Sequence, residues 1–136
     1  MMKMREIKFR GKDEFNKWVY GGYYKKKDGK VYIIERMTIF IEVDPKTLGQ
    51  FSGFFDKDNK EIYEGDIIQW DYAPYIVEYL EDVGEWNLYN EYDNLDILSS
   101  KGCHIVGNIH DDHRLYWTLW ADFLEVSENE TSQYRP

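Results

Sequence analysis

Gly49-Gln50-Phe51-Ser52-Gly53-Phe54-Phe55-Asp56-Lys57-Asp58-Asn59-Lys60-Glu61-Ile62-Tyr63-Glu64-Gly65-Asp66-Ile67-Ile68 holds three signals in one run. Asp58-Asn59 is a tight-turn pair, Gly65-Asp66 is a corner, and Ile67-Ile68 opens an apolar strand. Turn chemistry explains every residue type in it, so the run reads as a folding device before it reads as a ligand site. Gly53, Gly65 and, further on, Gly107 are positions where the backbone needs positive φ or close approach.

Strand signals continue on both sides. Arg5-Glu6-Ile7-Lys8-Phe9-Arg10 alternates charge with apolar residues, the period of a half-buried strand. Trp18-Val19-Tyr20-Gly21-Gly22-Tyr23-Tyr24 and Val31-Tyr32-Ile33-Ile34 flank Asp28-Gly29, which predicts a hairpin closed by a type I′ turn. Lys25, Lys26 and Lys27 precede that turn and read as charge protecting a strand edge. Thr38-Ile39-Phe40-Ile41-Glu42-Val43 is another strand, and Asp44-Pro45 ends it in a turn or short 3₁₀ segment. Gln69-Trp70, Tyr75-Ile76-Val77-Glu78-Tyr79-Leu80 and Cys103-His104-Ile105-Val106-Gly107-Asn108-Ile109 carry the pattern onward. Short strands separated by turn residues predict a mainly β fold, α+β at most, built as a small barrel or sandwich. One stretch suggests a helix, with Asp112 capping a segment through Leu115, Trp117, Leu119 and Trp120, although its β-prone and aromatic content argues against it.

The 136 residues amount to one domain, or two small subdomains sharing a core. Aromatic residues make up 18% of the chain, which suits strands and interfaces, and the mean hydropathy of −0.69 places the charge elsewhere. The net charge is −9, unevenly spread: residues 1–30 hold ten Lys/Arg against four Asp/Glu, and residues 61–100 hold eleven Asp/Glu and no Lys or Arg. Such asymmetry is met by solvation or self-complementation, and an acidic face otherwise repels nucleic acid or imitates it. The single Cys103 excludes an intrachain disulfide and fits a reducing compartment. With no signal peptide and no apolar run of membrane-spanning length, a cytoplasmic protein with no membrane association is expected.

Met4-Arg5-Glu6-Ile7-Lys8-Phe9-Arg10, Val43-Asp44-Pro45-Lys46-Thr47-Leu48-Gly49-Gln50, the run from Gly49 to Asp66, and Val106-Gly107-Asn108-Ile109-His110 stand in this order along about four-fifths of the chain. They resemble the anchors of the YopX family of phage and prophage proteins, a family without an assigned activity. The resemblance implies a small N-terminal part, residues 1–48, followed by an SH3-like β-barrel, residues 49–127, with a polar tail at 128–136. It also marks Gly49, Gln50, Gly53, Asp56, Gly65, Asp66, Gly107 and Asn108 as motif residues, here read as structural. Asn87–Ser100 and Asp111–Asp122 differ from the family pattern as loop variation.

Catalytic and metal-binding patterns are not met. Asp56-Lys57-Asp58-Asn59-Lys60-Glu61 begins like a calcium loop but has Lys60, Glu61 and Ile67 where such a loop needs an oxygen ligand, Gly and Glu. Cys103 and His104 point to opposite faces if they share a strand, and His110 with His113 makes too small a set for zinc. No nucleophile has an oriented base, and Glu78 with Glu81, or Glu91 with Asp93, reads as solvated charge. The sequence therefore predicts a non-catalytic protein without cofactor or metal. Its expected role is a protein-interaction module for a host or phage protein in the bacterial cytoplasm, compatible with homo-oligomerisation. Trp70, Tyr72, Tyr75, Trp86 and Tyr89 form the expected contact surface. The alternative is nucleic-acid binding through the barrel aromatics or the basic N-terminal hairpin, with Tyr23 and Tyr24 beside the lysines, which the acidic balance disfavours.

Overall fold

A computed structural model of the chain describes residues 6–70 and 72–133. It is mainly β: eleven strands in two antiparallel sheets and one α-helix among the described residues. Two compact units are present. The first holds the described residues up to Gly53 together with Glu61–Glu64, the second Phe54–Lys60 and the described residues from Gly65 on.

In the first unit β1 (Phe9–Lys12), β2 (Trp18–Lys25), β3 (Val31–Arg36), β4 (Ile39–Val43), β5 (Gly49–Phe55) and β6 (Glu61–Tyr63) form a sheet in the order β4-β3-β2-β1-β5-β6, with Phe54 and Phe55 of β5 belonging to the second unit. Tyr24 pairs with Tyr32, and Ile33 with Ile41, so alternate residues divide between two faces. One face carries the buried cluster Val31, Ile33 and Val43, with Phe9, Val19 and Leu48 against it. The expected hairpin is present, but its turn is not type I′. Lys26 N–H donates to Lys30 O and Gly29 N–H to Lys26 O, and only Gly29 takes positive φ (94°). This is a type I turn followed by a left-handed residue, because Asp28 stays at negative φ and instead accepts the Lys30 N–H on its carboxylate. Asp44-Pro45 opens a 3₁₀ turn over Pro45–Thr47. Asp44 accepts from Lys46 N–H, and the Thr47 hydroxyl donates to Asp44 O while accepting from Lys12 N–H.

In the second unit β7 (Asp66–Trp70), β8 (Ala73–Leu80), β9 (Glu85–Tyr89), β10 (Asn94–Asp96) and β11 (His104–Asn108) form a sheet in the order β10-β9-β8-β7-β11. Adjacent Ile67 and Ile68 are both 0% exposed, so β7 is covered on both faces. On the Ile68 side, Ile68 pairs with Tyr75, and Val77 with Leu88, all buried. On the other side, Gly107 pairs with Ile67, and a Cβ on Gly107 would meet Leu115 Cδ2 at 2.6 Å. The start of the helix α1 (Leu115–Gln133) therefore lies on the Ile67 face.

Two expectations are corrected here. The sheet is open and not a closed barrel: β10 and β11 are its edges. Closure would require pairing of edge strands, and the three-residue β10 runs directly into a 3₁₀ segment, Ile97–Gly102. The segment after Asp112 is a helix despite its aromatic content. Tyr116, Trp120 and Phe123 recur at helical spacing, Trp120 packs on Phe123 at 5.5 Å and on Tyr92 at 5.0 Å, and Tyr116 stacks on Trp120. The helix runs on to Gln133, into the stretch expected to be a polar tail. Among the described residues, no helix is long and apolar enough to cross a membrane.

Candidate interaction surface

The motif residues are built into the backbone. Gly49 is buried, and a Cβ there would meet Glu64 O at 2.8 Å; Gln50 O accepts from Glu64 N–H; Gly53 takes φ 85°. Asp56 is 5% exposed: Oδ1 accepts the N–H groups of Asp58 and Lys60, and Oδ2 that of Ile105. Burial opposes its ionisation, but these three N–H donors outweigh it and hold the carboxyl below its ordinary range. Gly65 takes φ 90°, donates to Val77 O and accepts from Ile109 N–H. Asp66 is buried and pairs in register with Asn108, whose side chain accepts from His110 and Asp111 N–H and donates to the Asp111 carboxylate.

The five aromatics expected at a contact surface do not share one environment. Trp70 and Tyr72 are exposed, Tyr72 at φ 71°. Trp86 is half-buried against Tyr79, with ring centroids 5.2 Å apart, and half-buried Tyr89 hydrogen-bonds to Glu91 at 3.4 Å. Tyr75 is 4% exposed and must be moved from the surface to the core, because it stands on the apolar face of β8 opposite Ile68.

A different aromatic surface lies in the first unit, on the face of β2, β3 and β4 away from the Val31–Ile33–Val43 cluster. Tyr24 and Phe40 are 46% and 50% exposed and meet edge to face, with centroids 6.2 Å apart. With Tyr32, Ile34 and Lys26 they line a groove of about 530 Å³. Lys26 Nζ sits 5.0 Å from the Tyr32 ring centroid, a cation–π contact. Sequence reading placed Tyr24 and the lysines together but missed Tyr32, Ile34 and Phe40. The signal was the hairpin register, which sets Tyr24 opposite Tyr32 and, through β3, Ile34 opposite Phe40. Arg10 and Lys12, counted among the basic N-terminal charges, are buried instead: Arg10 lies over Trp18 at 4.5 Å and over Tyr63 at 4.9 Å, and Lys12 over Trp18 at 5.3 Å. Lys8 bonds Glu61 at 2.6 Å, and chiefly that bond raises its pKa against the cost of burial.

The titratable groups considered for chemistry are dispersed. Cys103 is buried, which pushes its thiol up to about 11, while half-buried His104 meets Asp58 at 3.1 Å. The His110 ring lies beside Gly65, and His113 is exposed. Glu78 accepts from Asn87 at 3.0 Å. Among the described residues, no group of three or more His, Cys, Asp or Glu is arranged to hold a metal ion.

No curated protein matches the chain. The anchors whose geometry is now in place, from Arg10 to Asn108, all fall within residues 1–116, which match the family described as YopX protein, and the chain belongs to that family.

Proposed function

We propose that this YopX-family chain is a non-catalytic protein-interaction module, an accessory protein of a phage or prophage acting on a host or phage protein in the bacterial cytoplasm. Its second part is read as an open relative of the SH3-like small β folds. The observation that carries the reading is the groove of Tyr24, Tyr32, Ile34 and Phe40, in which Tyr24 and Phe40 are exposed over half-buried Tyr32 and Ile34 on a folded sheet. Aromatic side chains with a polar handle or a neighbouring charge are the residues that protein contacts favour. A nucleic-acid track would need accessible cations along the rings, whereas the exposed Lys25, Lys26, Lys27 and Lys30 cluster at the turn at one end of them. Here Glu42 stands on the same face, opposite Tyr32.

Affinity purification from the bacterial host, with and without nuclease, tests the proposal. Wild-type protein should retain a partner after nuclease treatment, and Phe40→Ala, at an exposed site, should lose it without a lower melting temperature. Capture that vanishes with nuclease would replace this reading with nucleic-acid binding.

A further inference from the structure

We infer that a second depression on the first unit takes an arginine side chain of the protein partner, whose bound segment carries that arginine next to its apolar anchor. The inference rests on the reading of this unit as a protein-contact module and names the partner's chemistry. The depression has a volume of about 680 Å³ and lies where the loop at residues 13–17 meets the end of β4. Asp13, Glu14, Glu42 and Asp44 bring four carboxyl groups to it, and among the described residues no Lys or Arg lines it. None of the four forms an ion pair with a described residue. Asp13 uses one oxygen to accept the N–H groups of Phe15 and Lys17, and Asp44 uses one to accept that of Lys46. The carboxylates of Glu14 and Glu42 accept no hydrogen bond from a described residue. Four like charges gathered at one depression repel one another, and a cation supplied from outside relieves that repulsion.

The choice of cation follows from the walls. Phe15 is 73% exposed and, with half-buried Ile41, gives the depression an apolar side. A guanidinium is planar and weakly hydrated, so it can lie on the ring while its fork reaches carboxylates; a lysine ammonium holds its water more firmly. The depression adjoins the aromatic groove: Glu42, in the first, is the register partner of Tyr32, which lines the second. One short segment therefore spans both, with an apolar side chain in the groove and an arginine among the carboxylates. The charges supply selectivity, and the groove supplies the apolar contact.

The test is selection of a randomised twelve-residue peptide display library on the full chain, followed by fluorescence polarisation with the enriched peptides. Enriched peptides should place an arginine beside an apolar residue, and replacing that arginine by lysine should weaken binding. A variant carrying both Glu14→Gln and Glu42→Gln should bind about fivefold or more weakly, as should wild type when NaCl is raised from about 50 to about 300 mM. Both glutamates are exposed, so that variant should keep the wild-type melting temperature; Phe15→Ala, also at an exposed site, should weaken binding in the same way. Enrichment of acidic or uncharged peptides, or full binding by the Glu14→Gln, Glu42→Gln variant, would overturn the inference, and loss of binding in Phe40→Ala would then leave the interaction module standing. A dimer of the chain in sedimentation that the double variant dissolves would put a second copy in the depression and overturn the inference too. Enrichment of no peptide would overturn both this inference and the proposed function.

Discussion

At Gly65 three constraints coincide: φ of 90°, main-chain bonds to Val77 and Ile109, and His110 Nε2 only 3.2 Å from where a Cβ would stand. Gly65→Ala should therefore cost about 1 kcal/mol or more, measured by denaturant unfolding, and reduce partner binding only in proportion. An unchanged midpoint with lost binding would instead make the corner a contact surface. Asp56 offers a pH test. Its folded pKa is depressed, so its contribution is present above the ordinary carboxylate pKa and is lost as pH falls through the folded value. Asp56→Asn replaces one accepting oxygen by a donor, and at pH 7 it should cost about 1–3 kcal/mol. The gap from wild type should begin to narrow below about pH 4, where the unfolded-state carboxyl takes up its proton, and go on narrowing as pH falls through the depressed folded value. Gly65 was legible because its constraint is local turn chemistry. The Oδ2 bond from Asp56 to Ile105 was not, since it joins residues far apart in sequence and no periodicity encodes it.

Three five-residue hairpin loops, Asp13–Lys17, Lys26–Lys30 and Asp56–Lys60, are one element used three times. In each the first N–H donates to the fifth carbonyl, the fourth N–H donates to the first carbonyl, and the fourth residue, Asn16, Gly29 or Asn59, is left-handed. The two Asx loops share Asp-x-x-Asn-Lys, and both aspartates accept the third and fifth N–H groups on one oxygen. Asn59→Ala should lose roughly 1 kcal/mol, the cost of a left-handed residue without asparagine's local bonding, while Asn59→Gly should stay within about 0.5 kcal/mol of wild type in the same unfolding assay. Equal losses for the two would show that the side chain and not the backbone sets the turn. The Asp-Gly pair correctly marked a hairpin, yet the turn class depends on the loop's closing bonds, which two residues do not determine. The helix was obscured for a similar reason. Tyr116, Trp120 and Phe123 each favour strands by propensity, and only their shared packing face, together with Tyr92 from a distant loop, favours the helix.

Across the molecule, charge divides as the units do. The sequence of the first unit carries twelve Lys/Arg against nine Asp/Glu, net +3, and that of the second carries five against seventeen, net −12. Like charge at that density repels itself, so raising NaCl from low concentration to about 0.5 M should raise the melting temperature of the second unit's transition through screening. A fall would mean that attractive pairs dominate. The mainly β class and the hairpin about Asp28-Gly29 were legible from alternation and turns, while the order of the strands in the two sheets was not. Whether the second sheet closes was not legible either, because closure depends on edge pairing between β10 and β11, on which strand spacing is silent. Ile67-Ile68 did announce an apolar strand, and its burial on both faces has a kinetic meaning. β7 is hydrogen-bonded to β8 on one side and β11 on the other, with its two isoleucines fully covered. Its amides have no shallow route to solvent and exchange only when the unit opens as a whole. In deuterium they should be the last of the second unit to label, and their protection should report that unit's global stability. The edge strand β10 should label well before them.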